Sequence, residues 1–286
     1  MKQKISTFIG YFLILLKKTV VYCLLIFFFL SSCNRDYKIL NNESREKITG
    51  FFEELLLEHG GAFTLFGSKP VTEEVLLNDA QDQLKKMQEY LKNNNIEYLL
   101  LDRKFEEGWE EWKKLKPVYQ SKNFILTEIN FKDYRSVALF NVKTTISILE
   151  KYHNYFEEIL GFSFNSKKIV YELREGKTEI WQKLLSNHKA TGILYGYGLQ
   201  NACLFDKYMH DEPAFLGKSK TSENNDPRLK AECYLNNNPF RIPIFVILDV
   251  KESNYLINTY QNEREKIKKK YQNKNFLELV FSKLSH

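Results

Sequence analysis

Thr19 to Leu30 is a run of twelve residues without a charge, and it stops at Ser31-Ser32-Cys33 with polar sequence directly after. As a helix it is about 18 Å long, well short of the roughly 30 Å hydrocarbon core of a bilayer. A spanning helix has to recruit the upstream run Phe8 to Leu16, which places Lys17 and Lys18 near mid-bilayer at about 2.5 to 3.5 kcal/mol each. A secretory signal, with a basic n-region and a short apolar core, fits the same residues without that cost. Residues 1–32 are therefore expected to be a targeting segment that contributes nothing to the fold. An uncleaved signal anchor, or a hairpin of the two apolar runs with an incidental cysteine, is the alternative.

Leu30-Ser31-Ser32-Cys33 resembles the lipobox of bacterial lipoproteins: a branched apolar residue, two small residues, then cysteine. Small side chains let a peptidase fit beside the scissile bond, and the cysteine thiolate accepts the diacylglycerol. The resemblance implies cleavage between Ser32 and Cys33, lipid attachment at Cys33 and a place in the bacterial cell envelope, with the membrane as a partner through that lipid. The n-region departs from the pattern by carrying a second apolar run ahead of Lys17, although Lys17 to Cys33 is a compact signal by itself. Residues 33–43 read as a tether, whose nine residues Asn34 to Asn42 span about 15 to 18 Å. Asn34 is not the aspartate of the enterobacterial retention signal, so the outer membrane is the default destination.

The formal charge of +6 falls to +2 once the four lysines of residues 1–32 are set aside. A near-neutral mature chain gives no electrostatic ground for a nucleic-acid partner. With 22 Phe, 17 Tyr and 3 Trp, residues 44–286 can bury a substantial core as a single globular domain, or as two lobes. Cys203 and Cys233 remain after the signal and the lipid site, as a disulfide or as two buried thiols. No CxxC pair points to zinc or to redox exchange.

Hydrophobic periodicity predicts helices over Ser44–His59, over Thr72–Leu91 with Thr72 as cap and Glu73 and Glu74 in the first turn, and over Lys104–Leu115. Further helices are predicted over Thr144–Leu160, Thr178–Asn187, Ser253–Lys270 and Phe276–Leu284. Strands are predicted at Ala62–Phe66, Ile96–Leu101, Phe124–Phe131, Val137–Val142, the apolar segment Gly192–Tyr197 and Ile244–Val250. Lys207–Asn238 reads as an exposed excursion. The expected fold class is α+β, a mixed sheet of about five or six strands covered by helices, with an irregular α/β fold as the alternative.

Catalytic and cofactor signatures are mostly negative. Gly217-Lys218-Ser219 ends like a phosphate loop, but Glu212 stands where its first glycine belongs. No G-x-S-x-G elbow, H-E-x-x-H helix or EF-hand loop occurs, and the histidines lie too far apart for a metal set, so neither cofactor nor metal is expected. Two stretches stand out. His59 to Pro70 surrounds a short apolar segment with glycines, Ser68 and Lys69, exposing amides and an amine to an anionic ligand. Gly192 to Phe205 runs through Gly196 and Gly198 into a helix start, a layout in which ligands meet helix N-termini. Both stretches resemble segments of uncharacterised lipoproteins of obligate intracellular bacteria, a resemblance that brings no activity with it.

The sequence thus points to a tethered lipoprotein that binds an unknown envelope protein or ligand, or serves structurally, without catalysis. The alternative is an envelope hydrolase with a cleft near Ser68, Lys69 and Gly196–Gly198. If the two glycine stretches line one concave pocket with a convergent titratable group, the hydrolase gains; if they lie on opposite faces with no pocket, the binder gains. The lipobox generates its own test: Cys33→Ala is expected to abolish radiolabelled palmitate incorporation and to leave an unprocessed precursor. Undiminished labelling of the variant would overturn the lipid anchor.

Overall fold

The computed structural model describes residues 40–76, 104–115, 121–211, 242, 250–272 and 275–285. Met1–Arg45 and Glu46–His286 are two units, and the elements below, apart from the first turn of α1, lie in the second. Helix α1 (Asn42–Glu53) starts at Asn41, whose side-chain oxygen accepts the Ser44 N–H at 2.8 Å. It continues into a π-helical turn (Glu54–Glu58), and beyond His59-Gly60 the chain restarts as α2 (Gly61–Phe66). Strand β1 (Val71–Leu76), helix α3 (Lys104–Leu115) and strands β2 (Phe124–Asn130) and β3 (Arg135–Asn141) follow. Then come α4 (Val142–Lys151), α5 (His153–Leu160), α6 (Ser166–Glu172), α7 (Glu179–Leu185), α8 (His188–Leu194) and α9 (Leu199–Asp211). The long α10 (Val250–Tyr271) and α11 (Phe276–Leu284) are the last.

Asparagine sets most of the clear helix starts. Asn141, Asn165, Asn187 and Asn275 each accept a backbone N–H three residues ahead, at 2.9 to 3.2 Å, and so open α4, α6, α8 and α11. A cap of this kind satisfies an amide that the helix cannot, and its loss costs about 1 kcal/mol.

The sheet is antiparallel in the order β1-β3-β2, with Val71 opposite Phe140 and Phe124 opposite Asn141. Central β3 is buried from Ser136 to Phe140, because helices cover both faces. On one face Val71, Ile125, Ile129, Ala138 and Phe140 pack with Leu149, Phe156, Val170, Trp181 and Ile193 of α4 to α8. Trp181 meets the Phe140 ring edge-on at 4.7 Å and donates its indole N–H to the Ile169 carbonyl. The other face points to α1 and α3, whose Phe51, Phe52, Trp109 and Trp112 form an aromatic layer with Phe281 of α11. Trp109 ties that layer to the sheet by donating to Glu128 of β2 at 2.9 Å.

The sheet of five or six strands is corrected: among the described residues the fold is mostly helical, with one three-stranded antiparallel sheet. Ala62–Phe66 is helix α2, and Gly192–Leu194 belongs to helix α8. Both are short apolar runs, in which periodicity alone cannot separate a strand from a buried helix. Thr72 does not cap a helix; it lies within β1, where Glu73 and Glu74 point to opposite faces and each finds a partner. Ser253 is no cap either, being buried inside α10. The expected strands Ile96–Leu101 and Ile244–249, and nearly all of the excursion, lie outside the described residues.

Glycine at the α1–α3 crossing gives a direct test. A β-carbon on Gly108 would collide with the Lys47 carbonyl and the Phe51 β-carbon, both on α1. Gly108→Ala is expected to destabilise the protein by about 1 to 3 kcal/mol through overpacking. Gly50→Ala, with open space around its added carbon, is expected to stabilise by about 0.5 to 1 kcal/mol. Urea midpoints read both, and equal effects would contradict the close approach of the two helices.

Candidate functional site

Lys69 of the first glycine stretch and Tyr195 of the second lie 126 residues apart in sequence, yet the two stretches meet. Lys69, just ahead of β1, puts its amine 5.5 Å from the ring centre of Tyr195, and a β-carbon on Gly196 would touch Pro70 at 3.4 Å. Gly196 and Gly198 have φ of 79° and 86°, a backbone that side chains rarely adopt, so the chain can reverse here between α8 and α9.

Helix α10 holds both stretches. Glu252 and Glu263 are eleven residues apart, close to three helical turns, which puts both carboxylates on one face about 16 Å apart. Glu252 accepts the Asn201 N–H at 2.7 Å, in the first turn of α9, and fills the space beside Gly198. Glu263 accepts the Ser68 N–H at 3.1 Å and fills the space beside Gly67. Between them Tyr260 donates its hydroxyl to the Gly196 carbonyl at 3.0 Å and packs edge-on against Phe63 of α2. Ser253 adds a hydrogen bond to the Asn201 side chain at 3.2 Å, and that side chain donates to the Tyr197 carbonyl. The amides foreseen as anion ligands therefore already hold anions, and these belong to the chain itself.

Beneath this clamp sits a cluster of titratable groups. Glu73 of β1 accepts from the Ser136 hydroxyl and, at 2.6 Å, from the Tyr195 hydroxyl. Burial raises the Glu73 pKa, with Glu74 adding to the rise and the two hydrogen bonds opposing it. Tyr195 is pushed up by burial and by the Glu73 charge, and Tyr197 rises to about 12 through burial. His59 lies 2.7 Å from the Glu74 carboxylate and 3.9 Å from that of Glu54. Burial draws the His59 pKa down, but the two carboxylates outweigh it and lift it to about 9. Lys69 is 3% exposed, and burial, opposed by the Glu74 charge, lowers its pKa to about 7. Its amine donates to the His59 carbonyl at 3.5 Å.

Ser68 and Lys69 are neighbours in sequence but not in setting, since Ser68 is exposed and Lys69 buried. Cys203 is half-buried on α9, where burial raises its pKa; Cys233 and Cys33 lie outside the described residues. Glu73, Tyr195, Glu252 and Tyr260 were not anticipated from the sequence. Among the described residues no group of three His, Cys, Asp or Glu side chains is placed to hold a metal ion.

His59 and Lys69 give opposite pH responses. His59, raised from 6.5 to about 9, contributes stability that is complete below pH 6.5 and lost as pH climbs through 9. Lys69, lowered from 10.5 to about 7, favours the fold more as pH rises from 7 toward 10.5. The two offset each other between about pH 7 and 9. Lys69→Met is therefore expected to make urea stability fall over that window, while the wild type stays flatter; the same slope in both would contradict the buried amine.

The chain matches no known family model, no curated protein and no solved structure, so the functional reading rests on its own residues.

Proposed function

We propose that the chain is a lipid-anchored protein of a bacterial cell envelope, held to the membrane through Cys33, whose folded part binds a ligand or an envelope partner without catalysis. The outer membrane is the favoured location. The lipobox-like Leu30 to Cys33 supports the anchor, and among the described residues no helix is long and apolar enough to cross a membrane. One observation carries the non-catalytic reading: the carboxylates around the glycine stretches are engaged with the fold. Glu73 holds Ser136 and Tyr195, Glu74 holds His59, and Glu252 and Glu263 hold backbone amides. A carboxylate serving as general base has to face the proton that it takes. The seam between Lys69, Tyr195 and the Gly196–Gly198 turn is the place proposed for the ligand.

The hydrolase keeps one specific observation in its favour. The two glycine stretches do meet, and they meet around Lys69, whose pKa burial lowers to about 7. Against it, Ser68 is exposed while Lys69 is buried, and the Ser68 amide is bonded to Glu263. Hydrolysis of a chromogenic ester or amide that Lys69→Met abolishes would establish the enzyme.

Cleaving the tether is expected to release a soluble, folded domain of residues 44–286 that does not sediment with neutral lipid vesicles. Sedimentation of the released domain with such vesicles would reveal a second membrane-binding surface and overturn the tether as the sole attachment.

A further inference from the structure

Among the described residues, the buried amine of Lys69 is left short of hydrogen-bond partners at the seam. An ammonium offers three donors. Among the described residues Lys69 has one acceptor, the His59 carbonyl at the outer hydrogen-bonding limit of 3.5 Å, and the face of Tyr195 at 5.5 Å. The groups that face it do not make up the difference. The Glu74 carboxylate is engaged by His59 at 2.7 Å, Glu73 is engaged by Ser136 and Tyr195, and the Tyr195 hydroxyl points to Glu73. An ammonium buried with two donors unfilled is costly, whereas a neutral amine is not. A neutral amine carries a lone pair, and a desolvated lysine with a free lone pair is a nucleophile.

Position matters as much as chemistry. Lys69 has solvent-facing neighbours: Ser68, next to it in sequence, is exposed, and Tyr195, whose ring faces the amine, is half-buried, as is Gly196. At Gly196 the Tyr260 hydroxyl takes the space that a side chain would fill, and it fixes that turn through the Gly196 carbonyl. Around the amine Glu74 is balanced by His59 at 2.7 Å and Glu73 is held by Ser136 and Tyr195, so no excess positive charge is there to hold an anion, and a small uncharged compound is the fitting guest.

We propose that Lys69 is a covalent capture site for small uncharged carbonyl compounds, aldehydes above all. The nitrogen lone pair forms a bond to the carbonyl carbon, the carbonyl oxygen takes up the two amine protons, and it departs as water to leave an imine. The step is reversible and needs no oxidant or reductant. The inference rests on the seam being the ligand site and is independent of the lipid anchor.

The full-length chain in detergent is treated briefly with acetaldehyde and cyanoborohydride near pH 7, and the reduced N-ethyl adducts are mapped by peptide mass spectrometry. Lys69 is expected to be modified at least about tenfold faster than Lys168, whose side chain is 73% exposed and ion-paired with Glu172, because the desolvated Lys69 amine is short of hydrogen-bond partners and keeps its lone pair free. This ratio is read within the wild type, so it stands even where Lys69→Met fails to fold. In parallel, the Gly196 and Gly198 amide resonances are followed with acetaldehyde and no reductant. Shifts of these amides without a preferred Lys69 adduct would overturn covalent capture and keep the seam as a ligand site. Neither shifts nor adduct would overturn both.

Discussion

The described fold turns on helix α10 and the carboxylates that it sends into two distant loops. Glu252 closes the first turn of α9, and Glu263 closes the loop between α2 and β1. Each bond is charge-assisted, a class worth roughly 1.5 to 3 kcal/mol when well made. Glu252 also places a negative charge at the positive end of α9, which the helix dipole favours. Without this face of α10, the Ser68 and Asn201 amides lose these acceptors and the Gly196 turn loses its hold through Tyr260. The glycines explain why the clamp fits, because a β-carbon on Gly67 or Gly198 would occupy the space of these carboxylates.

This arrangement bears on function. Amides that stand open in an anion-binding site are here filled by internal anions, and the remaining unusual chemistry is displaced inward, to Lys69 beneath Tyr195. The same clamp that removes the loops as phosphate cradles fixes the roof of the Lys69 seam. Structure and reactivity at this place are therefore linked by one helix face, and a change in α10 is felt by the amine through Tyr260 and Gly196.

The legible part of the fold was the part with strong local pattern. The β2–β3 hairpin could be read from two apolar runs flanking Lys132-Asp133, and α3 and α11 from helical spacing. The sequence misled where local signals agreed with the wrong element. Thr72-Glu73-Glu74 mimics a capped helix start, yet pairing with β3 and the partners Tyr195 and His59 make it a strand. Ser68, Lys69, Gly196 and Gly198 were picked out for their glycine-rich setting, and the structure does bring Lys69 and Gly196 together. What filled their amides was not legible, because Glu263 acts across 195 residues and Glu252 across 51. An eleven-residue spacing of two glutamates on a polar helix is too common to single out by itself.

Amide hydrogen exchange tests the α10 clamp most directly. In the wild type the Ser68 and Asn201 amides are expected to be protected. Glu263→Ala should accelerate exchange at Ser68, and Glu252→Ala at Asn201, each by about tenfold or more, as loss of about 1.4 kcal/mol implies. Amides of β3 should keep their rates in both variants. Ser68 and Asn201 amides that exchange in the wild type as fast as unstructured ones, or that ignore both substitutions, would contradict the account.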